Sequence, residues 1–255
     1  MSVKKKIKNL FNFFGLEIKK RDEEIVNLSF DEIYKIKIEK NPIIFDVGAN
    51  QGQSIERFKK IFADPIIHAF EPIKEEYDKL LKKYSNQKNI ILNNYAIGET
   101  TGELNLFVTA LSGNSSFNKL NANTKWLKTR SSQANTTMEN FTKALEKVKV
   151  ISLDNYCREK NINRIDLLKI DTQGFEDKVL AGCNEILKNN IISAIESEIM
   201  LDNVYDKYLS FSDLEKYLIP NNFRLVGLNT VNNNLFSGIV FFADILYFNK
   251  NKFKI

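Results

Sequence analysis

At 255 residues, with 43% hydrophobic and 27% charged residues, the chain is one globular domain or one domain with a small appendage. A single histidine, His68, excludes a three-histidine metal site; two distant cysteines, Cys157 and Cys183, exclude a zinc cluster or a disulfide scaffold and fit a reducing, cytoplasmic setting. The net charge of +5 is concentrated in residues 1–21, which hold seven basic residues and one acid, so the remainder is close to neutral, whereas a general nucleic-acid binder more often spreads basic charge over a face.

Residues 1–24 are predicted to form a basic amphipathic helix ahead of a domain of residues 25–255. Val3, Ile7, Leu10, Phe11, Phe14 and Ile18 share one stripe, and Lys4, Lys5, Lys8 and Lys19 lie off it. Two roles stand open for this helix. One is peripheral contact of residues 1–21 with an anionic membrane surface. The other is packing on its own domain or on a second copy. No stretch is long enough to span a bilayer: the late apolar run, residues 238–248, is too short and carries Asp244. The basic start lacks the unbroken apolar run of a signal peptide.

From residue 41 the pattern alternates. Strands are expected at 43–47, 66–70, 90–95 and 104–108, and helices at 55–62 and 73–84. The turn at 99–102 suits a short hairpin. Residues 109–140 are polar, rich in Ser, Asn and Thr, and without clear period; inside an alternating pattern such a stretch is expected to cover the cleft as a lid. Regular structure resumes with strands at 148–153, 165–170 and 191–199 and helices at 154–160, 175–182 and 211–218, the last started by Ser212. Strands at 223–228 and 239–248, joined by an Asn-rich turn at 229–234, lack an intervening helix and should pair antiparallel. The fold class is α/β, a βα series closed by a hairpin.

The most informative run is Phe45-Asp46-Val47-Gly48-Ala49-Asn50-Gln51-Gly52, between the first strand and the first helix of the series. Its glycines let the backbone turn sharply and approach a ligand, at the strand end where open α/β sheets bind one. It lacks the G-x-G-x-x-G of nicotinamide binders. An acid just before the first glycine would disfavour a diphosphate and favour a cation such as a sulfonium. Glu71 closes the second strand in His68-Ala69-Phe70-Glu71-Pro72, where a carboxylate can accept hydrogen bonds from ribose hydroxyls, and Pro72 suits a helix start. The two sites together point to a nucleoside. His68, Glu196 and Asp244 are flanked by apolar residues and read as core groups.

A third run, Ile165-Asp166-Leu167-Leu168-Lys169-Ile170-Asp171-Thr172-Gln173-Gly174-Phe175-Glu176, completes a set. Together with DVGANQG, AFEP, the pair Ser115 and Ser116, the step Ser152-Leu153-Asp154 and the closing Ala243-Asp244-Ile245-Leu246-Tyr247-Phe248, it resembles the FkbM family of S-adenosylmethionine-dependent methyltransferases over roughly residues 41–248. A common form of the family motif has Glu where Gln173 stands. The resemblance implies a class I methyltransferase Rossmann-like fold, a seven-stranded, mostly parallel sheet with an antiparallel last strand. It also implies O-methylation, often of a sugar or natural-product hydroxyl, here of a surface glycan or related metabolite. The expected cofactor residues are Asp46, Gly48, Ala49, Asn50, Gly52, Glu71, Pro72 and Ala96.

Methyl transfer to oxygen requires an acceptor held in line, a base for the hydroxyl proton, and exclusion of water. Lys169 and Asp171, two apart on one strand, share a face, with Asp171 at the cofactor end. Asp171 is the first candidate base. Alternatively Asp171, with Glu198 near the end of the next strand, holds a divalent cation that acidifies the hydroxyl. Lys169 with Asp171 could instead be only a buried ion pair. A non-catalytic nucleoside-binding or scaffold protein of the same fold is the rival reading. A nucleic-acid methyltransferase lacks support, because no Asn-Pro-Pro-Tyr-like or paired-cysteine signature is present.

Overall fold

The computed structural model describes residues 28–230 and 240–253, so the predicted N-terminal helix lies outside the described residues. Strands β1 (Ile43–Val47), β2 (Ile66–Phe70), β3 (Ile90–Asn93), β7 (Ile165–Ile170), β8 (Ile192–Met200), β9 (Phe223–Asn229) and β10 (Phe242–Asn249) form a seven-stranded sheet in the order β3-β2-β1-β7-β8-β10-β9. Neighbours are parallel except β10, which runs antiparallel to both β8 and β9. The expected class I methyltransferase architecture is therefore present, last strand included. The chain leaves β1 towards β2 on one side and returns through β7 on the other. Their shared carboxyl end is a topological switch point, where such sheets bind ligands.

Each face of this sheet carries a buried layer. Helices α1 (Phe30–Lys37), α2 (Gln53–Ile61) and α3 (Lys74–Tyr84) pack Ile33, Tyr34, Ile55, Phe58 and Leu80 on Ile44, Ile67, Leu167 and Ala194. Helix α1 begins at a capping box in which Ser29 accepts from the Glu32 amide and Glu32 accepts from the Ser29 amide. The opposite face takes α5 (Leu153–Lys160), α6 (Glu176–Ala181), α7 (Asn184–Lys188) and α8 (Phe211–Leu218) over Phe45, Val47, Leu168, Ile170 and Ile195.

Five expectations need correction. A second sheet, β4 (Ala96–Ile97), β6 (Thr142–Ile151) and β5 (Gly102–Thr109) in the order β4-β6-β5, replaces the short hairpin expected around residues 99–102: β5 pairs antiparallel with β6, across the polar stretch. Strand β6 starts six residues before the predicted 148 because Thr142 and Ala144 to Lys147 pair with β5. The polar stretch itself holds a helix, α4 (Lys125–Gln133), capped by Thr124, whose Trp126 and Leu127 are buried with Phe141, Met200, Val204, Tyr205 and Phe241. Helix α8 is capped by Ser210 rather than started by Ser212, because Asp213 accepts from both the amide and the hydroxyl of Ser210. Pro72 lies before α3, whose N-cap is Ile73.

Candidate active site

The turn after β1 is shaped by its neighbours. Gly48 has φ +87°, and the amides of Gly48 and Ala49 both donate to the carbonyl of Phe70, at 3.1 and 3.0 Å. A Cβ on Gly48 would stand 1.9 Å from the carbonyl oxygen of Asp171, so glycine is required by the approach of β7 as well as by the dihedral. Asn50 also takes a positive φ, +45°, which asparagine tolerates. Its amide donates to Glu71 Oε2 at 2.8 Å, and its side chain donates to Ser112 Oγ at 3.3 Å.

Glu71 is 4% exposed, and its other oxygen accepts from the Ile73 amide at 2.8 Å. Burial pushes its carboxyl up to about 7, against the two amide donors. Each oxygen keeps a further lone pair for a ligand hydroxyl. A cleft of about 620 Å³ opens beside it, with Phe70, Ile73, Ala96, Ile97, Leu106 and Phe117 as apolar walls and Val47, Gly48, Asn50, Glu71, Pro72 and Asp171 at its base. Ser112, Gly113, Ser115 and Phe117 close it from the polar stretch, so this part of the predicted lid does border the cleft. A second, more open groove shares Gly48, Asn50, Ile73, Ser112, Gly113 and Asp171 with the first and continues past Ala49.

Asp171 belongs to a polar row on the sheet face that meets α1 and α2. In strand register Asp46 lies beside Lys169, Lys169 beside Glu196, and Glu198 beside Asp244. Lys169 Nζ is 3.1 Å from Asp171 Oδ2 and 4.0 Å from Asp46 Oδ1, so the predicted ion pair exists and has a second partner. Asp46 is fully buried, neither of its oxygens has a hydrogen-bond partner, and burial raises its carboxyl to about 6 although Lys169 opposes this. Glu196 is a satisfied core carboxylate: Arg57 donates to it at 2.6 Å and Tyr34 donates to its other oxygen. Arg57 in turn holds Asp31 at 2.8 Å, which ties α1 to this face.

Gln173 links this row to the lid. Its side-chain nitrogen donates to Asp171 Oδ1 at 3.0 Å and to Glu198 Oε1 at 2.7 Å, and its backbone carbonyl accepts from Ser116 Oγ at 2.7 Å. Burial, then the charges of Asp171, Glu176 and Asp244, hold the Glu198 carboxyl well above the ordinary range. Tyr205 donates to Gln173 Oε1 at 3.1 Å.

The structure thus brings Gly48, Asn50, Glu71, Pro72, Ala96 and Asp171 together on the cleft, with Ala49 on the adjoining groove. Asp46, Gly52, Lys169 and Glu198 do not line the cleft; Gly52 caps α2, and the other three stand behind Asp171. Leu106, Phe117 and Ser112 line it without having been singled out, since each comes from the second sheet or the lid and carries no local motif. His68 is paired with Tyr156 at 2.7 Å, and burial lowers its imidazole to about 4, consistent with a structural residue. Among the described residues no group of three or more His, Cys, Asp and Glu side chains is arranged to hold a metal ion.

Residues 46–225 match the family model described as the methyltransferase FkbM domain. The chain is 25% identical over 147 residues to 2-O-methyltransferase NoeI of Sinorhizobium fredii, a match covering 58% of this chain and 59% of that protein. Among solved structures, a putative RNA methyltransferase from Pyrococcus horikoshii aligns over 98% of this chain and 99% of its own at 9% identity, with a TM-score of 0.45. The 1,6-didemethyltoxoflavin-N1-methyltransferase of Burkholderia thailandensis, solved with bound 1,6-didemethyltoxoflavin and S-adenosylhomocysteine, aligns over 86% of this chain and 76% of its own at 10% identity, with a TM-score of 0.44.

Proposed function

The chain belongs to the FkbM methyltransferase domain family, and on that premise we propose that it is an S-adenosylmethionine-dependent O-methyltransferase acting on a hydroxyl of a sugar in a surface glycan or related metabolite. The observation that carries this reading is the meeting of Glu71, the Gly48–Asn50 turn and Asp171 on one cleft at the switch point of the sheet. The cleft fits the cofactor's parts. Phe70, Ala96, Ile97 and Phe117 offer apolar walls to a base, and Glu71 offers acceptors to ribose hydroxyls. Bound S-adenosylmethionine supplies an electrophilic methyl group on a sulfonium.

This chain's residues supply the rest. A sugar hydroxyl is a weak acid, so it needs a base as it attacks. Asp171 is 34% exposed at its side chain and lines both the cleft and the adjoining groove, so its carboxylate can take that proton at an oxygen facing the junction. Lys169 and Gln173 fix its orientation. Ser112, Gly113 and Phe117 shield the junction from water. A divalent cation shared by Asp171 and Glu198 does not fit, because the Gln173 side-chain nitrogen already donates to both and Glu198 does not line the cleft. The name of the Sinorhizobium relative, a 2-O-methyltransferase, supports transfer to oxygen.

The two cysteines are free and buried, which fits the cytoplasm, and no helix among the described residues is long and apolar enough to cross a membrane. The basic segment 1–21 is proposed to touch anionic lipid; flotation with anionic vesicles should be lost when it is deleted.

The test has two parts. Calorimetry should show S-adenosylhomocysteine binding, and mass spectrometry of glycans from cells with and without the gene should show one methyl group lost from a sugar. Absence of binding of both S-adenosylmethionine and S-adenosylhomocysteine would remove the cofactor reading. Binding with no methylated product changed would leave the non-catalytic nucleoside-binding alternative.

A further inference from the structure

We propose that Asp171, held by Gln173 and backed by the buried Lys169–Asp46 pair, makes the cleft charge-selective, so that it binds cationic S-adenosylmethionine in preference to its neutral thioether product, S-adenosylhomocysteine. The inference rests on the cofactor reading above and concerns which form of that cofactor the chain prefers.

The argument is one of local charge. Asp171 Oδ2 is used by Lys169 and Oδ1 by Gln173, yet the side chain remains 34% exposed on the cleft. Taken alone, Lys169 would cancel Asp171. On its other side, however, stands Asp46, fully buried, 4.0 Å away, with no hydrogen-bond donor of its own. Two carboxylates flank one ammonium, so the trio retains a negative charge, and the exposed member of the trio is Asp171. Glu196 supplies no cation to offset this balance, since Arg57 is taken up by Glu196 and Asp31 together. Glu198, held protonated by its burial, adds no charge, and Asp244, next along the sheet face, brings no cation.

Gln173 sets the geometry. It adopts φ +57°, a left-handed conformation, and is pinned there through its carbonyl by Ser116. One amide nitrogen then reaches both Asp171 and Glu198, and only the donor end of a carboxamide can face two carboxylates. A charge removed from water by cleft walls acts more strongly than one in bulk solvent. The sulfonium and the thioether differ by one methyl group and one unit of charge, so their affinity ratio reports this wall. The nucleoside end, common to both ligands, cancels.

The experiment is calorimetry of the full chain with S-adenosylmethionine and, separately, S-adenosylhomocysteine. At about pH 8 the wild type should prefer the sulfonium by about tenfold or more. Asp171→Asn should bring the ratio close to one while S-adenosylhomocysteine affinity stays within about threefold. Gln173→Leu should lower the ratio in part. Asp46→Asn should lower it too, although Asp46 does not line the cleft, because an unopposed Lys169 then cancels Asp171. The wild-type ratio should also fall as pH drops through about 6, where buried Asp46 takes up its proton while facing Lys169 on β7, Asp171 just after it, Glu196 on β8 and Arg57 on α2. Binding of S-adenosylhomocysteine serves as the folding control; if Asp46→Asn fails it, Asp171→Asn and the pH series decide. A wild-type ratio near one would overturn the proposal, as would a ratio unmoved in Asp171→Asn, or equal weakening of both ligands. Binding of neither ligand by the wild type would instead sink the cofactor assignment itself.

Discussion

The two walls of the cleft are built on different principles. The nucleoside wall is local: Glu71 ends one strand, Asn50 and Gly48 follow another, and the amides of Asn50 and Ile73 grip the carboxylate directly. The charged wall is assembled at long range. Asp46, Lys169, Glu196 and Glu198 come from three strands and meet only through register, while Gln173 and Ser116 join them to the lid. A wall made by local turns tolerates changes in its neighbours. A wall made by register transmits a change at any member to the others.

The largest effect expected from this contrast is at Asp171. Asp171→Asn preserves shape and removes the base, so turnover on the acceptor identified from the glycan comparison should fall by about 10²–10⁴. Adenosine, which probes only the nucleoside wall, should bind the variant as it binds the wild type. Loss of the wild-type rate to chelator, and its return on adding magnesium or manganese, would assign Asp171 to a metal instead of a proton. Equal loss of adenosine binding would show that the two walls are not separable.

Next is Gly48, where the walls touch. Gly48→Ala places a methyl 1.9 Å from the Asp171 carbonyl and forces a side chain into φ +87°. Backbone on both sides leaves no flexible group to yield, so the variant should lose about 2–5 kcal/mol in denaturant melts. A loss below about 0.5 kcal/mol, the range of a neutral surface change, would mean that β1 and β7 are less tightly joined than their geometry requires.

The sequence made the nucleoside wall legible because its parts are strand ends carrying their own signals: glycines, an acid before a proline, and an alternation that places them. Asp171 was legible for the same reason. The charged wall was not, because periodicity identifies a strand without giving its register, and Glu196 beside Lys169 is a fact of register. The start of strand β6 is hidden in the sequence because Ala144-Leu145-Glu146-Lys147 are good helix formers, drawn into a strand by pairing with β5. Helix α4 was missed because it buries only Trp126, Leu127 and Ser131, too few to make a periodic stripe.

A smaller, pH-dependent effect separates the walls again. The raised value of Glu71, about 7 against an ordinary 4.5, means that the folded protein holds this proton more tightly than the unfolded chain does. Stability from this group is therefore present at low pH and is lost as pH rises from about 4.5 to about 7. Glu71→Gln should flatten that part of the melting-temperature profile, leaving the shares of Asp46 and Glu176, which are raised to about 6 and about 7. It should also weaken adenosine binding by about 1–3 kcal/mol. An unchanged slope would show that Glu71 is not ionising in its buried position.

The smallest effect tests whether the lid belongs to the charged wall alone. Ser116 donates to the Gln173 carbonyl at 2.7 Å and accepts from the Asn118 amide at 3.0 Å, and Asn118 donates to the Gly174 carbonyl at 2.6 Å. These bonds hold the positive-φ pair Gln173 and Gly174, and through Gln173 they reach Asp171 and Glu198. They make no contact with Glu71. Ser116→Ala should therefore cost about 1 kcal/mol in stability, the net worth of a buried hydrogen bond. In a double-mutant cycle with Gln173→Leu the two losses should fail to add, because both release the same turn. In a cycle with Glu71→Gln they should add to within about 0.5 kcal/mol, because no bond joins the two sites. Coupling in the second cycle and none in the first would place the lid on the nucleoside wall, and the division of the cleft drawn from the geometry would have to be reversed.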